Sequence, residues 1–129
     1  MDSIRTHSKI EQSLSGVPKA LRENYAEVEL HTTEIMASDE KGLVHGGFLF
    51  SAADYTAMLA VNHPNVVLAK AQVKFLSPVR VGEKVKFSGS VVHREGNKFS
   101  VKVEGMKGEV KVFYGEFLCV VTEKHVLER

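Results

Sequence analysis

Residue types able to do chemistry concentrate in one stretch, Gly42 to Asn62, which reads GLVHGGFLFSAADYTAMLAVN. Asp54 is its carboxylate, set within a run from Phe48 to Val61 that is apolar at ten of fourteen positions. An unpaired carboxylate in such a setting costs on the order of several kcal/mol even after relaxation, so it is either satisfied locally or put to use. Ser51 precedes it by three residues and Met58 follows by four, which puts the three on one face of a helix. Ahead of the run stand His45, Gly46 and Gly47. Two glycines allow a sharp turn and close approach of the backbone to a ligand, and a helix starting there offers free N–H groups with partial positive charge. A polarised carbonyl or a developing oxyanion would bind at such a place. The plainer readings are a carboxylate capped by Ser51 or by backbone, a histidine that fixes the turn, and glycines needed only for the bend.

The elements that would position these residues follow from periodicity. Residues 1–16 are polar and read as a flexible N-terminal arm, or a short helix over Ile10 and Leu14, with no recognisable chemistry. Val17-Pro18 opens an expected short helix, PKALREN, with proline in the first turn. Tyr25 to Ile35 alternates as a strand, with His31 pointing outward. The helix from Phe48 ends at His63-Pro64, because a residue before proline is pushed out of helical geometry. Strands are then expected over Val66 to Leu76, Lys84 to Arg94, Lys98 to Met106 and Glu109 to Thr122, with tight turns at Glu95-Gly96-Asn97 and Lys107-Gly108. Glycines 89, 105 and 115 inside these strands suggest bulges or strong curvature. One curled antiparallel sheet around one apolar helix buries every hydrophobic run, an α+β arrangement within residues 17–129.

Composition narrows the functions. At 129 residues one domain with a real core is expected. Seventeen basic against sixteen acidic side chains give a net charge of +1, which makes no electrostatic case for nucleic acid or an anionic membrane surface. Cys119, the one cysteine, sits in the apolar segment EFLCVV and reads as a buried structural thiol. The N-terminus has no apolar core of signal-peptide type and no window reaches the length of a membrane span, so a soluble cytoplasmic protein is expected. Histidines 7, 31, 63, 93 and 125 show no paired metal-ligand spacing.

These features together resemble the hotdog fold, in which a curved sheet wraps a central helix. His45-Gly46-Gly47 followed by Asp54 is similar to the signature of hotdog acyl-CoA thioesterases of the phenylacetate-degradation type. The segment AQVKFLSPVRVGEKVKFSGSVV extends that resemblance, which covers roughly Tyr25 to Thr122. It implies that the Gly46 N–H polarises the thioester carbonyl. It also implies that Asp54 comes from the partner subunit as nucleophile or as base toward water, and that His45 helps hold the thioester or the water. Gly47, Ser51 and Asp39 are candidate substrate contacts, and Arg80, Arg94 and Lys98 are candidates for the coenzyme A phosphates. The implied assembly is a homodimer or a dimer of dimers with acyl-CoA along the interface. Coenzyme A enters as part of the substrate or ligand, and no separate cofactor is expected.

One position departs from that pattern. Six residues before the histidine such enzymes carry Asn or Gln, whereas this chain has Asp39 with Glu40 next to it. A second carboxylate near Asp54 would repel it and raise the pKa of one of them. The alternative is a non-catalytic acyl-CoA-binding protein with a regulatory role, because the later strands also resemble the effector-binding hotdog domain of the bacterial fatty-acid repressor. No helix-turn-helix segment accompanies the domain, so direct control of DNA is not expected.

Overall fold

The computed structural model describes residues 1–128. Six antiparallel strands form one sheet in the order β1-β2-β4-β5-β6-β3: β1 (Val17–Arg22), β2 (Tyr25–His31), β3 (Val66–Phe75), β4 (Lys84–Glu95), β5 (Lys98–Lys107) and β6 (Val110–Val121). A short helix α1 (Gln12–Ser15) precedes β1, and the long helix α2 (Gly46–Val61) stands between β2 and β3. The sheet curls around α2, whose Leu49, Ala52, Ala53, Tyr55, Thr56, Ala57, Met58, Leu59 and Ala60 are buried. This is the hotdog arrangement that the resemblance implied.

Small residues make the enclosure possible. Four alanines on α2 let the helix lie close to the sheet, and glycines receive it from the other side. A methyl group at Gly89 would stand 3.0 Å from Thr56 Cγ2 on the helix. At Gly105 it would stand 2.8 Å from Phe87 Cε1, and at Gly115 2.6 Å from Phe117 Cε1. Curvature was the expected role of these glycines, and Gly105 does border a register shift, between Gly105 and Met106. Gly89 and Gly115 lie in regular register, so what they supply is room for a helix methyl and an aromatic ring.

One expectation for the N-terminal region fails, and of the two readings of residues 1–16 the short helix is nearer, since α1 carries Leu14, which with Ile10 packs against the core. PKALREN is strand β1 and a turn, because Asn24 takes a left-handed φ of 61° and folds Arg22 back onto Tyr25 as a hairpin. Pro18 is tolerated there because β1 is an edge strand, where a missing N–H need not break a ladder. Nor are residues 1–16 a free arm. The Asp2 N–H donates to Leu21 O at 2.8 Å, and Arg5 N–H donates to Asn62 Oδ1 at 2.8 Å. Asn62 Nδ2 donates to Ser3 O at 2.9 Å, and Ser15 Oγ meets Ser51 Oγ at 2.8 Å. Thr6 and Ser15 are buried. The segment therefore runs along α2 from its C-terminal cap, Asn62, back to its first turns, and covers the side of the helix that the sheet leaves open.

Candidate active site

Helix α2 begins where the chain leaves a pinned loop. The His45 N–H donates to Met36 O and the Val44 N–H to Val79 O, both at 2.9 Å, which fixes the turn leading into Gly46. His45 is the N-cap, yet its ring makes no capping hydrogen bond. It is exposed and lies over Gly47, where a methyl group would come within 3.1 Å of His45 Cδ2. Gly46 is half-buried against Phe75, whose Cε1 would be 3.1 Å from a methyl group placed there. Of the first-turn amides, the Phe48 N–H donates to the His45 carbonyl at 3.1 Å, while those of Gly46 and Gly47 have no preceding turn to bond and carry partial positive charge. Beside them opens an apolar cleft of about 370 Å³ walled by Leu43, Leu49, Phe75, Pro78 and Val79.

Asp54 lies eight residues further on, about 12 Å along the helix axis at the usual rise. Its Oδ1 is buried and, among the described residues, accepts no hydrogen bond. Burial alone pushes its pKa up to about 6 from 3.8. A second carboxylate was expected to do this, but within one chain neither Asp39 nor Glu40 contributes. The carboxylate lines a second cavity of about 370 Å³, shared with Thr6 and His7 of the N-terminal segment, Met58, Leu68 and His125. Cys119 lies close by. Burial first, and then the Asp54 charge, push its thiol up to about 12, in keeping with a structural role.

Ser51 was expected to share a polar notch with Asp54, or to cap it. Instead its hydroxyl is spent on Ser15. Asp39 is exposed, and its Oδ1 accepts from the Lys41 N–H at 2.9 Å and the Leu43 N–H at 3.2 Å, shaping the loop that precedes His45. With Arg80 and Lys107 it lines a smaller cavity of about 280 Å³. Glu40 is exposed. Arg94 sits elsewhere: its guanidinium lies 4.6 Å over the Phe99 ring, and Nε donates to Gly96 O at 3.0 Å. Lys98 is nearby, opposite Glu95. The length of β4, roughly 30 Å, separates these two from Arg80, so the three basic residues do not form one rim within a single chain. No cluster of three His, Cys, Asp or Glu side chains suited to a metal ion occurs among the described residues.

Sequence reasoning missed Thr6, His7 and His125. All three come from segments at the chain ends, and nothing in their local pattern announces that the tertiary fold lays them against the middle of α2.

A family model described as the thioesterase superfamily matches residues 41–114, more than half of the chain. A methylthioribose-1-phosphate isomerase of Aquifex aeolicus is 61% identical over 117 residues, 91% of this chain and 26% of that protein. Transcription factor FapR of Caldanaerobacter subterraneus is 30% identical over 97 residues, 75% of this chain and 48% of that protein. The chain thus spans about a quarter and about half of these two relatives, whose names describe the longer proteins. The crystal structure of protein PH1136 from Pyrococcus horikoshii superposes with a TM-score of 0.96 at 50% identity, covering 98% of this chain and 97% of that one. A hypothetical thioesterase protein from Streptococcus pneumoniae, crystallised with coenzyme A, has a TM-score of 0.75 at 20% identity over 82% of this chain and 84% of that one, a likeness of fold alone.

Proposed function

The chain belongs to the thioesterase superfamily, and from that membership we propose that it hydrolyses an acyl-CoA thioester, with Asp54 acting on water and the Gly46 N–H binding the thioester carbonyl. The observation that carries this reading is Asp54 itself, half-buried on the central helix beside a cavity, with its Oδ1 fully buried and, among the described residues, left without a hydrogen-bond partner. A structural carboxylate would be satisfied. Its pKa of about 6 suits a general base near neutral pH, because it is ionised there and still basic enough to take a proton.

The chemistry then runs as follows. A water molecule gives a proton to Asp54 as its oxygen bonds to the carbonyl carbon, and the negative charge gathers on the carbonyl oxygen facing the Gly46 amide. Collapse of this intermediate breaks the C–S bond, and the proton held by Asp54 passes to the leaving thiolate. The products are a carboxylic acid and the free thiol of coenzyme A. In this reading His45, exposed beside Gly47 at the start of the helix, helps hold the thioester or the water.

Two copies make the site in this proposal. In one chain the carboxylate and the glycine amides line different cavities. A dimer brings Asp54 of one copy opposite Gly46 of the other. The open edges of β1 and β3 and the exposed Phe75 and Leu76 beside Gly46 favour such an assembly. The placement with the phenylacetate-degradation type belongs to the same proposal. Its test is thiol release from a panel of acyl-CoAs. Turnover should appear with at least one chain length and fall about 1000-fold in Asp54→Asn; turnover untouched by that change rejects the assigned role.

The FapR relatives favour a second reading, acyl-CoA binding without hydrolysis in a regulatory role. Calorimetric binding of an acyl-CoA by a chain that releases no thiol over hours would select it.

A further inference from the structure

The N-terminal segment does more than cover α2. It is clipped to the helix C-cap through Asn62 and to β1 through Leu21, and between these anchors and α1 it delivers Thr6 and His7 to the cavity of Asp54. His7 is bent into place. Its φ of 54° is a left-handed value that non-glycine residues adopt at a cost, and its carbonyl accepts from the Ile10 N–H at 3.2 Å to close the turn. Thr6 is 5% exposed, and its Oγ1 lies 2.7 Å from His7 Nδ1. One ring nitrogen is therefore engaged, and the ring stands tilted 6.3 Å from that of Tyr55 on the helix. Nε2 remains for the cavity. His7 shares that cavity with Asp54, with a second histidine, His125, and with the apolar side chains of Met58, Val66 and Leu68.

From this geometry we propose that His7 is a further residue of the site, its Nε2 holding the water molecule that Asp54 deprotonates. The inference rests on the hydrolytic reading above and deepens it. A water with one O–H toward Asp54 needs a partner for the other if its lone pair is to be aimed at a carbonyl carbon. A neutral imidazole whose Nδ1 proton is turned toward Thr6 supplies that acceptor. No proton passes to His7 in this role; it orients, and Asp54 takes the proton. Burial holds the His7 pKa below its ordinary value, which keeps the ring neutral at pH 7. The segment also explains how Asp54 is kept from bulk water on the side that the sheet does not cover.

The test uses the full chain, with thiol release as one readout and the histidine ring resonances as the other. His7→Ala should lower kcat about 100-fold with KM changed less than about threefold, since the lost contact is to water. His7→Gln places an amide near the position of Nε2 and should recover part of that loss. A lid with only a structural role would change thermal stability and leave the Gln variant no better than Ala. In the wild-type protein, adding acetyl-CoA or a longer acyl-CoA should shift the His7 ring signals. Turnover that persists unchanged in His7→Ala overturns the inference and leaves the hydrolytic reading standing. A wild-type chain without turnover whose His7 signals still shift with acyl-CoA removes hydrolysis and retains His7 as a ligand contact. Neither turnover nor a shift overturns both.

Discussion

The two sides of helix α2 treat polar atoms in opposite ways. On the side facing the sheet, Thr56 is fully buried and its hydroxyl donates to Ala52 O at 2.7 Å, so nothing is left over. On the side covered by the N-terminal segment, two residues earlier in the same helix, Asp54 keeps a buried oxygen with no partner among the described residues and lines a cavity. The same apolar sequence carries both. What differs is the covering layer: a sheet fitted to the helix with glycines and aromatic rings, against a strap of polar residues that leaves space. Satisfied polarity on one side stabilises, and unsatisfied polarity on the other is what a reaction can use.

Breaking the comparison at Asp54 has the largest expected effect. Asp54→Asn should cost hydrolysis about three orders of magnitude and at the same time stabilise the fold. The folded pKa, about 6, lies above the ordinary 3.8, so between pH 4 and 6 the native state holds more protons than the unfolded one. Stability of the wild-type protein therefore falls as pH rises through that window and stays low above it. The Asn variant lacks this slope. Urea melts should find it more stable by about 2 kcal/mol at pH 7.5 and equal to wild type near pH 4. A variant that loses stability at pH 7.5 would show that the carboxylate has a structural partner after all.

On the sheet side the expected balance is reversed. Gly115→Ala puts a methyl group 2.6 Å from Cε1 of Phe117, in the core, and 3.0 Å from Cγ1 of Val73, packed against it. The rings and strand must shift, at a cost of about 1–3 kcal/mol. Thiol release per folded molecule should be unchanged. A loss of turnover larger than the loss of folded protein would mean that strain on the sheet side reaches the cavity, and that the two sides are not independent.

Much of this contrast can be read from the sequence, and the part that cannot has a physical reason. The apolar run from Phe48 to Val61 and the alternation in β3 to β6 are local patterns set by periods of 3.6 and 2, so helix, strands and the anomaly of Asp54 all stand out. The double glycine that opens the helix is legible for the same reason. β1 was hidden because PKALREN carries a proline compatible with a first helical turn, and only pairing with β2 decides the matter. His7 was hidden more deeply. A histidine after a threonine in a polar segment has no period, and its place beside Asp54 depends on Asn62, 55 residues later in the chain, accepting from Arg5. The partner of Ser51 was misjudged likewise, because the carboxylate three residues away in sequence is not its nearest polar group in space; Ser15, 36 residues earlier, is.

The smallest expected effect sharpens the comparison most. Thr56→Val replaces a hydroxyl by a methyl group of similar size at a site with no exposure. The Ala52 carbonyl that accepts from Thr56 Oγ1 can still accept the Thr56 backbone N–H in the regular helix pattern, so removing the hydroxyl strands no acceptor. Threonine and valine differ little in helix propensity, and the retained methyl still meets Gly89 across the interface. Stability should move by less than about 1 kcal/mol, with no dependence on pH between 4 and 7.5 and no change in thiol release. This is the control that the Asp54 variant needs, since both substitutions alter one polar atom on one buried helix. If Thr56→Val reproduced the pH-dependent gain of Asp54→Asn, the gain would belong to the helix as a whole. If only Asp54→Asn shows it, the cost is that of a single carboxylate held without a partner at the cavity under the N-terminal strap.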